Sequence, residues 1–185
     1  MAKATQYTQN GAHIALYPMP SVESVAVNIT VRAGSWYEAG VHWGAFHFME
    51  HMSFDGSARF KNPISYNFFR ERHGIYANVY TDVDSMGYSL TFPRTKLSEG
   101  FTFARELVFG PTFPDRQLQR EAEVVSQEYT GMYSNPHQRF ARNIRERLFG
   151  QKLYETQGFD GLRLSAWGGW RHDERLVLLR ESLLP

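Results

Sequence analysis

Val25, Val27, Ile29 and Val31 alternate with Ala26, Asn28, Thr30 and Arg32, the period of a strand with one buried and one wet face. Met86, Tyr88, Leu90 and Phe92 alternate in the same way with Gly87, Ser89 and Thr91. Ile75 to Thr81 reads as a third strand, joined to that one by the turn residues Asp82-Val83-Asp84. Near the start, Asn10-Gly11 separates two short extended stretches and predicts a hairpin. The other segments carry a helical period. Apart from His47, Glu50 and His51, nearly every side chain from Ala45 to Phe54 is apolar. Asn62-Pro63 opens a helix to about Arg72, with His73-Gly74 as its stop. Leu97, Phe101, Ala104 and Val108 recur at the spacing of a third helix, which Pro111 and Pro114 end. Pro114-Asp115 opens a long helix. Ser134-Asn135-Pro136 opens another, with Phe140, Ile144 and Leu148 on one face. The order predicts an α+β domain: an antiparallel sheet covered by helices on one side.

Chemistry interrupts two of these helices. His47 and His51 stand at i and i+4 in Gly44-Ala45-Phe46-His47-Phe48-Met49-Glu50-His51-Met52, so both imidazoles leave one face of the helix. Glu50 lies between them on that face. In an apolar helix these groups need a partner, and a metal ion with an attacking water supplies one. The order His-x-x-Glu-His is the inverted form of a metalloprotease helix motif. Downstream, Glu121, Val124, Val125 and Glu128 follow i, i+3, i+4, i+7, one helical stripe. Two carboxylates thus share a face with two valines that favour the interior. Two histidines and one carboxylate are a common ligand set for catalytic zinc, and either glutamate could complete it.

These residues carry a family resemblance. From about residue 9 to 150 the chain resembles the amino-terminal domain of the insulinase/pitrilysin family of zinc peptidases, which includes the mitochondrial processing peptidase. That family has its third ligand, a Glu, at a characteristic long spacing after the second His, and Glu128 stands at that spacing from His51. A further family Glu precedes that ligand by seven positions, where this chain has Glu121. Arg32 to Glu38 is similar to the strand end before the family's helix. Gly44, Phe54, Gly56 and Ser57 match the residues around it, and Asn78-Val79-Tyr80-Thr81 resembles an Asn-Ala-x-Thr strand with Val in place of Ala. The resemblance implies one zinc ion per chain on His47, His51 and Glu128, with Glu50 as base, Glu121 orienting a ligand histidine and Asn78 holding substrate. It implies a metalloendopeptidase acting on extended peptides or presequences. After residue 150 the resemblance fades, and the family's last strand and second domain are not visible. The alternative expectation is a silent zinc-binding subunit, or a truncated fragment, that assembles with a partner supplying the second domain. A homodimer or a second peptidase-like subunit would restore the pair and cover an exposed sheet edge.

Composition narrows the picture further. The 185 residues have room for one domain, expected over 1–185. A net charge of +1 points to neither nucleic acid nor an anionic membrane. With no cysteine, any metal must take imidazole and carboxylate. No apolar run is long enough to span a bilayer. The polar start Met1-Ala2-Lys3-Ala4 shows no secretory signal, so a cytoplasmic location is expected. His13, His42, His73, His137 and His172 lack ligand spacing. Asp82 and Asp84 read as turn formers and Glu123 as solvated. Gly158 to Trp170 reads as a loop and Asp173 to Leu184 as a short helix. Trp167 and Trp170 either pack on a partner or close the core.

Overall fold

The computed structural model describes residues 3–38 and 44–149. The expectations for His42, His172, Trp167, Trp170, the loop from Gly158 and the helix from Asp173 lie outside those residues. The hairpin forms from β1 (Thr5–Gln9) and β2 (Ala12–Leu16), paired antiparallel from Thr5↔Leu16 to Gln9↔Ala12. Its turn is Asn10-Gly11 with φ of 51° and 81°. Two consecutive left-handed residues match the twist of the flanking strands, which is why Asn-Gly serves there.

The alternating segments become β3 (Ser24–Val31), β4 (Tyr76–Thr81) and β5 (Met86–Pro93). They form an antiparallel sheet in the order β3-β5-β4. Both β3 and β4 are therefore edges of the sheet as described. The inner face carries Val25, Val27, Ile29, Val31, Ala77, Val79, Met86, Tyr88, Leu90 and Phe92. The outer face carries Ala26, Asn28, Thr30, Tyr76, Asn78, Tyr80 and Thr91, all exposed. Tyr80 stands opposite Gly87 and lays its ring on it, so any side chain at 87 would meet that ring.

Five helices follow the predicted order: α1 (Ala45–Met52), α2 (Pro63–Arg72), α3 (Leu97–Phe109), α4 (Asp115–Ser134) and α5 (Pro136–Phe149). Phe46 of α1, Tyr66 of α2, and Phe103, Ala104, Leu107 and Val108 of α3 fill the core against the inner sheet face, with Phe60 from the loop before α2. Among the described residues the sheet is thus covered on one side. The α2 start is a capping box. Asn62 Oδ1 accepts from the Ser65 amide at 2.9 Å, and Ser65 Oγ accepts from the Asn62 amide at 3.2 Å.

The buried stripe of α3 departs from expectation. Gly100, Phe103, Ala104, Leu107 and Val108 face inward, while Leu97 and Phe101 are exposed. Gly100 is the reason: the ring of Phe92 lies where its Cβ would be, so the helix seats on β5 through the glycine rather than through Phe101. On α5, Phe140, Ile144 and Leu148 share a face as the spacing predicts, and all three are exposed.

A second, smaller cluster joins α1 to α4. Phe48 and Met52 of α1 pack with Phe113 and with Val125 of α4, flanked by Met49, Leu118 and Ala122. This contact brings the chemistry of the two helices together.

Candidate metal centre

Eight residues are too few for a helix to stand alone in water, so α1 exists by its packing. Phe46 turns to the main core, and Phe48 and Met52 turn to α4. The remaining face holds His47, Glu50 and His51, all half-buried. The imidazoles meet edge to face, ring centres 4.9 Å apart, with their Nε2 atoms 3.3 Å from each other.

α4 crosses this face. Glu128 Oε2 lies 3.4 Å from His51 Nε2 and 3.8 Å from His47 Nε2. Ligand atoms of His47, His51 and Glu128 all fall within 4.8 Å of one another. Zinc bonds of about 2.0–2.1 Å in a tetrahedron put neighbouring ligand atoms roughly 3.3–3.4 Å apart. Two of the three separations match that figure and the third is slightly long. The donor set of two imidazoles and a carboxylate therefore fits a zinc ion. His47 is pushed below its ordinary pKa by burial and then by His51, with Glu128 opposing. That keeps the imidazole neutral, the form a metal requires.

Glu121 takes the place beside the ligands. It is 9 % exposed, and its Oε2 lies 3.4 Å from His51 Nδ1, the nitrogen turned away from Glu128. Burial lowers the His51 pKa, but the bond to Glu121 and the charges of Glu128 and Glu50 outweigh it and raise it overall. A carboxylate in this position fixes the ring and its tautomer. Glu121→Gln is expected to weaken zinc binding by roughly 10–100-fold, measured by competition with a chelator. An unchanged affinity would mean that His51 needs no such support.

Some expectations change. The stripe with Val124 and Val125 predicts two buried carboxylates. Val125 is buried, yet the Glu128 side chain is 49 % exposed. Glu128 sits about one turn beyond Val125, where its stem leaves the packed cluster, so burial alone does not require a partner for it. Its proximity to both imidazoles is what singles it out. A second departure concerns His47. Its Nδ1 is buried without a hydrogen-bond partner among the described residues, so the acceptor that usually stands behind a ligand histidine is found there only for His51. Asn78 does not join the cluster. It is exposed on the outer face of β4, the side away from α1. Glu123 is exposed, as expected.

Three residues to which the sequence assigns no role shape the site. Thr81, at the end of β4, donates from Oγ1 to the Phe46 carbonyl at 3.3 Å. Its side chain and main chain also stand close enough to the Glu50 carboxylate to favour its charged form. Burial raises the Glu50 pKa, with Glu128 adding to the rise, while Thr81 and His51 oppose it. Glu38 caps α1 from upstream. Asp55 lies 5 % exposed beside Glu121, and its Oδ2 has no partner among the described residues.

Burial first, and the charge of Glu121 second, push the Asp55 carboxyl from 3.8 up to about 6. A carboxyl raised on folding stabilises the fold fully below pH 3.8 and loses that contribution as pH rises through about 6. Asp55→Asn removes the charge and keeps the shape. With chelator present, Asp55→Asn should melt higher than wild type at pH 8 and no differently at pH 3.5. Equal Tm at both pH values would show that the charge is not costly where it sits.

The sequence profile described as insulinase, peptidase family M16, matches residues 13–157. An uncharacterised zinc protease of Rickettsia felis is 29% identical over 129 residues, which cover 69% of this chain and 31% of the relative. The chain thus spans about a third of that relative's length. Among solved structures, the periplasmic protease PqqL of Escherichia coli matches with a TM-score of 0.83 and 19% identity, over 99% of this chain and 21% of the other. A peptidase M16 inactive domain from Pseudomonas fluorescens matches with a TM-score of 0.78 and 18% identity, over 90% of this chain and 43% of the other. The two structures share the fold.

Proposed function

The chain belongs to the insulinase family of peptidases, family M16, and from that premise we propose that it is the catalytic domain of a zinc metalloendopeptidase acting on extended peptides or presequences. One observation carries this reading: His47, His51 and Glu128, from two helices far apart in the chain, converge within 4.8 Å, with Glu50 on the same helix face as the histidines. The family alone leaves activity open, because domains of this fold exist without it.

His47, His51 and Glu128 would hold one zinc ion. When bound, zinc polarises a carbonyl and lowers the pKa of a water to about 7. Glu50 takes a proton from the attacking water and returns it to the leaving amine. Its raised pKa helps it to hold the proton between the two transfers. Thr81, beside the carboxylate, favours its charged form and so its action as a base. Glu121 keeps the His51 ring turned. Substrate would enter as an added strand on the open edge of β4, with main-chain bonds giving affinity and Asn78 beside them.

A second reading has its own support. The chain spans about a third of the relative from R. felis, so the remainder of the peptidase would come from a partner, a second subunit or a further part of a longer chain. Hydrolysis of a quenched-peptide library by the purified chain tests between them. Cleavage that a chelator stops and zinc restores supports the first reading. Cleavage only after addition of a second peptidase-like subunit supports the second. No cleavage in either case overturns the peptidase proposal.

A further inference from the structure

The first turn of α1 carries His47 but lacks a cap of its own. Its N-cap is Gly44, left-handed with φ 85° and without a side chain to accept a bond. The first amides of any helix have no partner inside it, and here they are buried. Glu38 meets them from six residues upstream. Its Oε2 accepts from the Gly44 amide at 2.6 Å and its Oε1 from the Phe46 amide at 2.9 Å, and the Ala45 amide also bonds this carboxylate. Glu38 is 5 % exposed.

The base of this anchor is itself held to the sheet. Glu38 follows a short 3₁₀ turn, Ser35–Tyr37, that closes β3. Trp36 donates its amide to the Val83 carbonyl at 2.7 Å, and Ser35 Oγ donates to the same carbonyl at 3.3 Å. That carbonyl lies in the turn between β4 and β5. On the other side, Thr81 holds the Phe46 carbonyl. Phe46 therefore has its N–H fixed by Glu38 and its C=O fixed by Thr81, and His47 is the next residue. We propose that Glu38 is a positioning residue for the metal centre: it fixes the first turn of α1 to the sheet and so sets where the His47 imidazole points. This rests on His47 being a metal ligand, the reading given above. A carboxylate suits the place, because negative charge at a helix N-terminus is favourable. Burial pushes its carboxyl up to about 7, and the amides of Phe46, Gly44 and Ala45 oppose that rise.

The test compares wild type, Glu38→Ala, Glu38→Gln and Glu38→Asp in the full chain. Two measurements need no metal: hydrogen exchange at the Gly44, Ala45 and Phe46 amides, and the NMR resonances of the His47 ring. Two use the metal alone: zinc affinity by chelator competition, and the visible absorption of bound Co²⁺. Glu38→Ala should speed exchange at those amides while amides of β5 keep wild-type rates, and should shift the His47 resonances. It should weaken zinc binding by roughly 10–100-fold, the range for groups that orient a ligand, and change the cobalt spectrum. Glu38→Asp, which keeps both acceptor oxygens, should recover part of each effect. Glu38→Gln, with one, should lie between. If wild type binds neither metal, the ligand reading fails by itself, and exchange with the His47 resonances still judges Glu38. Faster exchange with unchanged His47 resonances, or with wild-type zinc affinity, would reduce Glu38 to a cap and overturn the proposal. Unchanged exchange in Glu38→Ala would overturn it outright.

Discussion

Glu50→Gln should lower kcat for peptide hydrolysis by roughly 10²–10⁴-fold, the range for loss of one general acid–base group, while zinc stays bound. The two side chains have the same shape. Gln keeps one acceptor oxygen beside Thr81, which favours the charged form of the wild-type carboxylate. None of His47, His51 and Glu128 is touched, so the converging ligand atoms remain within their 4.8 Å. Only proton transfer is removed. The variant should fold at least as well as wild type, because an ionised carboxylate at a half-buried position is costly to burial. Steady-state kinetics on one cleaved peptide, with zinc content measured on the same sample, separate the outcomes. Loss of activity with full zinc assigns the base. A variant retaining half the wild-type rate would remove Glu50 from the mechanism.

His51→Ala should abolish high-affinity zinc binding, with a loss beyond the roughly 100-fold of an orienting residue. His51 is the hub of the cluster. Its Nε2 lies 3.3 Å from His47 Nε2 and 3.4 Å from Glu128 Oε2, and its Nδ1 lies 3.4 Å from Glu121. Removing it leaves one imidazole and one half-exposed carboxylate, 3.8 Å apart. It also leaves Glu121 buried with no histidine to meet. A ligand that binds only the folded chain stabilises it by about 2.7 kcal/mol at a hundred times its dissociation constant. Wild type should therefore melt higher with zinc than with chelator, and His51→Ala should melt alike in both. A zinc-dependent rise in Tm for the variant would place the metal elsewhere.

The strands and the order of helices could be read from the chain because alternation and caps are local. The Asn10-Gly11 turn, the Asn62-Pro63 start and the His73-Gly74 stop each lie within a few residues of what they determine. The helix motif could be read for the same reason, since its spacing is set by one turn of α1. Glu128 and Glu121 needed the family spacing as well, because the long stretch between His51 and α4 carries no local trace of their meeting. The roles of Glu38, Thr81 and Asp55 were not legible, although Glu38 and Thr81 lie in segments that resemble the family. Each reaches the site only through tertiary packing, from a strand end, another strand or the loop after α1. On α3 the spacing placed Ala104 and Val108 correctly but not Leu97 and Phe101, because a glycine, which carries no hydrophobic signal, seats the helix on Phe92. Glu128 shows the limit of a stripe argument: periodicity says which residues share a face, not where the neighbouring element stops covering it.

The order of the ligands along the chain has a consequence for synthesis. Both histidines emerge from the ribosome early, while Glu128 follows only after α2, the sheet's last two strands, α3 and the first half of α4. At ribosomal rates of about 5–20 residues per second, the nascent chain spends roughly 4–15 s with both histidines but without Glu128. Over much of that interval β3 also waits for β5, which must arrive before its valines are covered. Metal loading through these three ligands would thus be a late event, coupled to the docking of α4 on α1. A cell starved of zinc would accumulate chains that have closed their sheet but lack the ion joining those two helices.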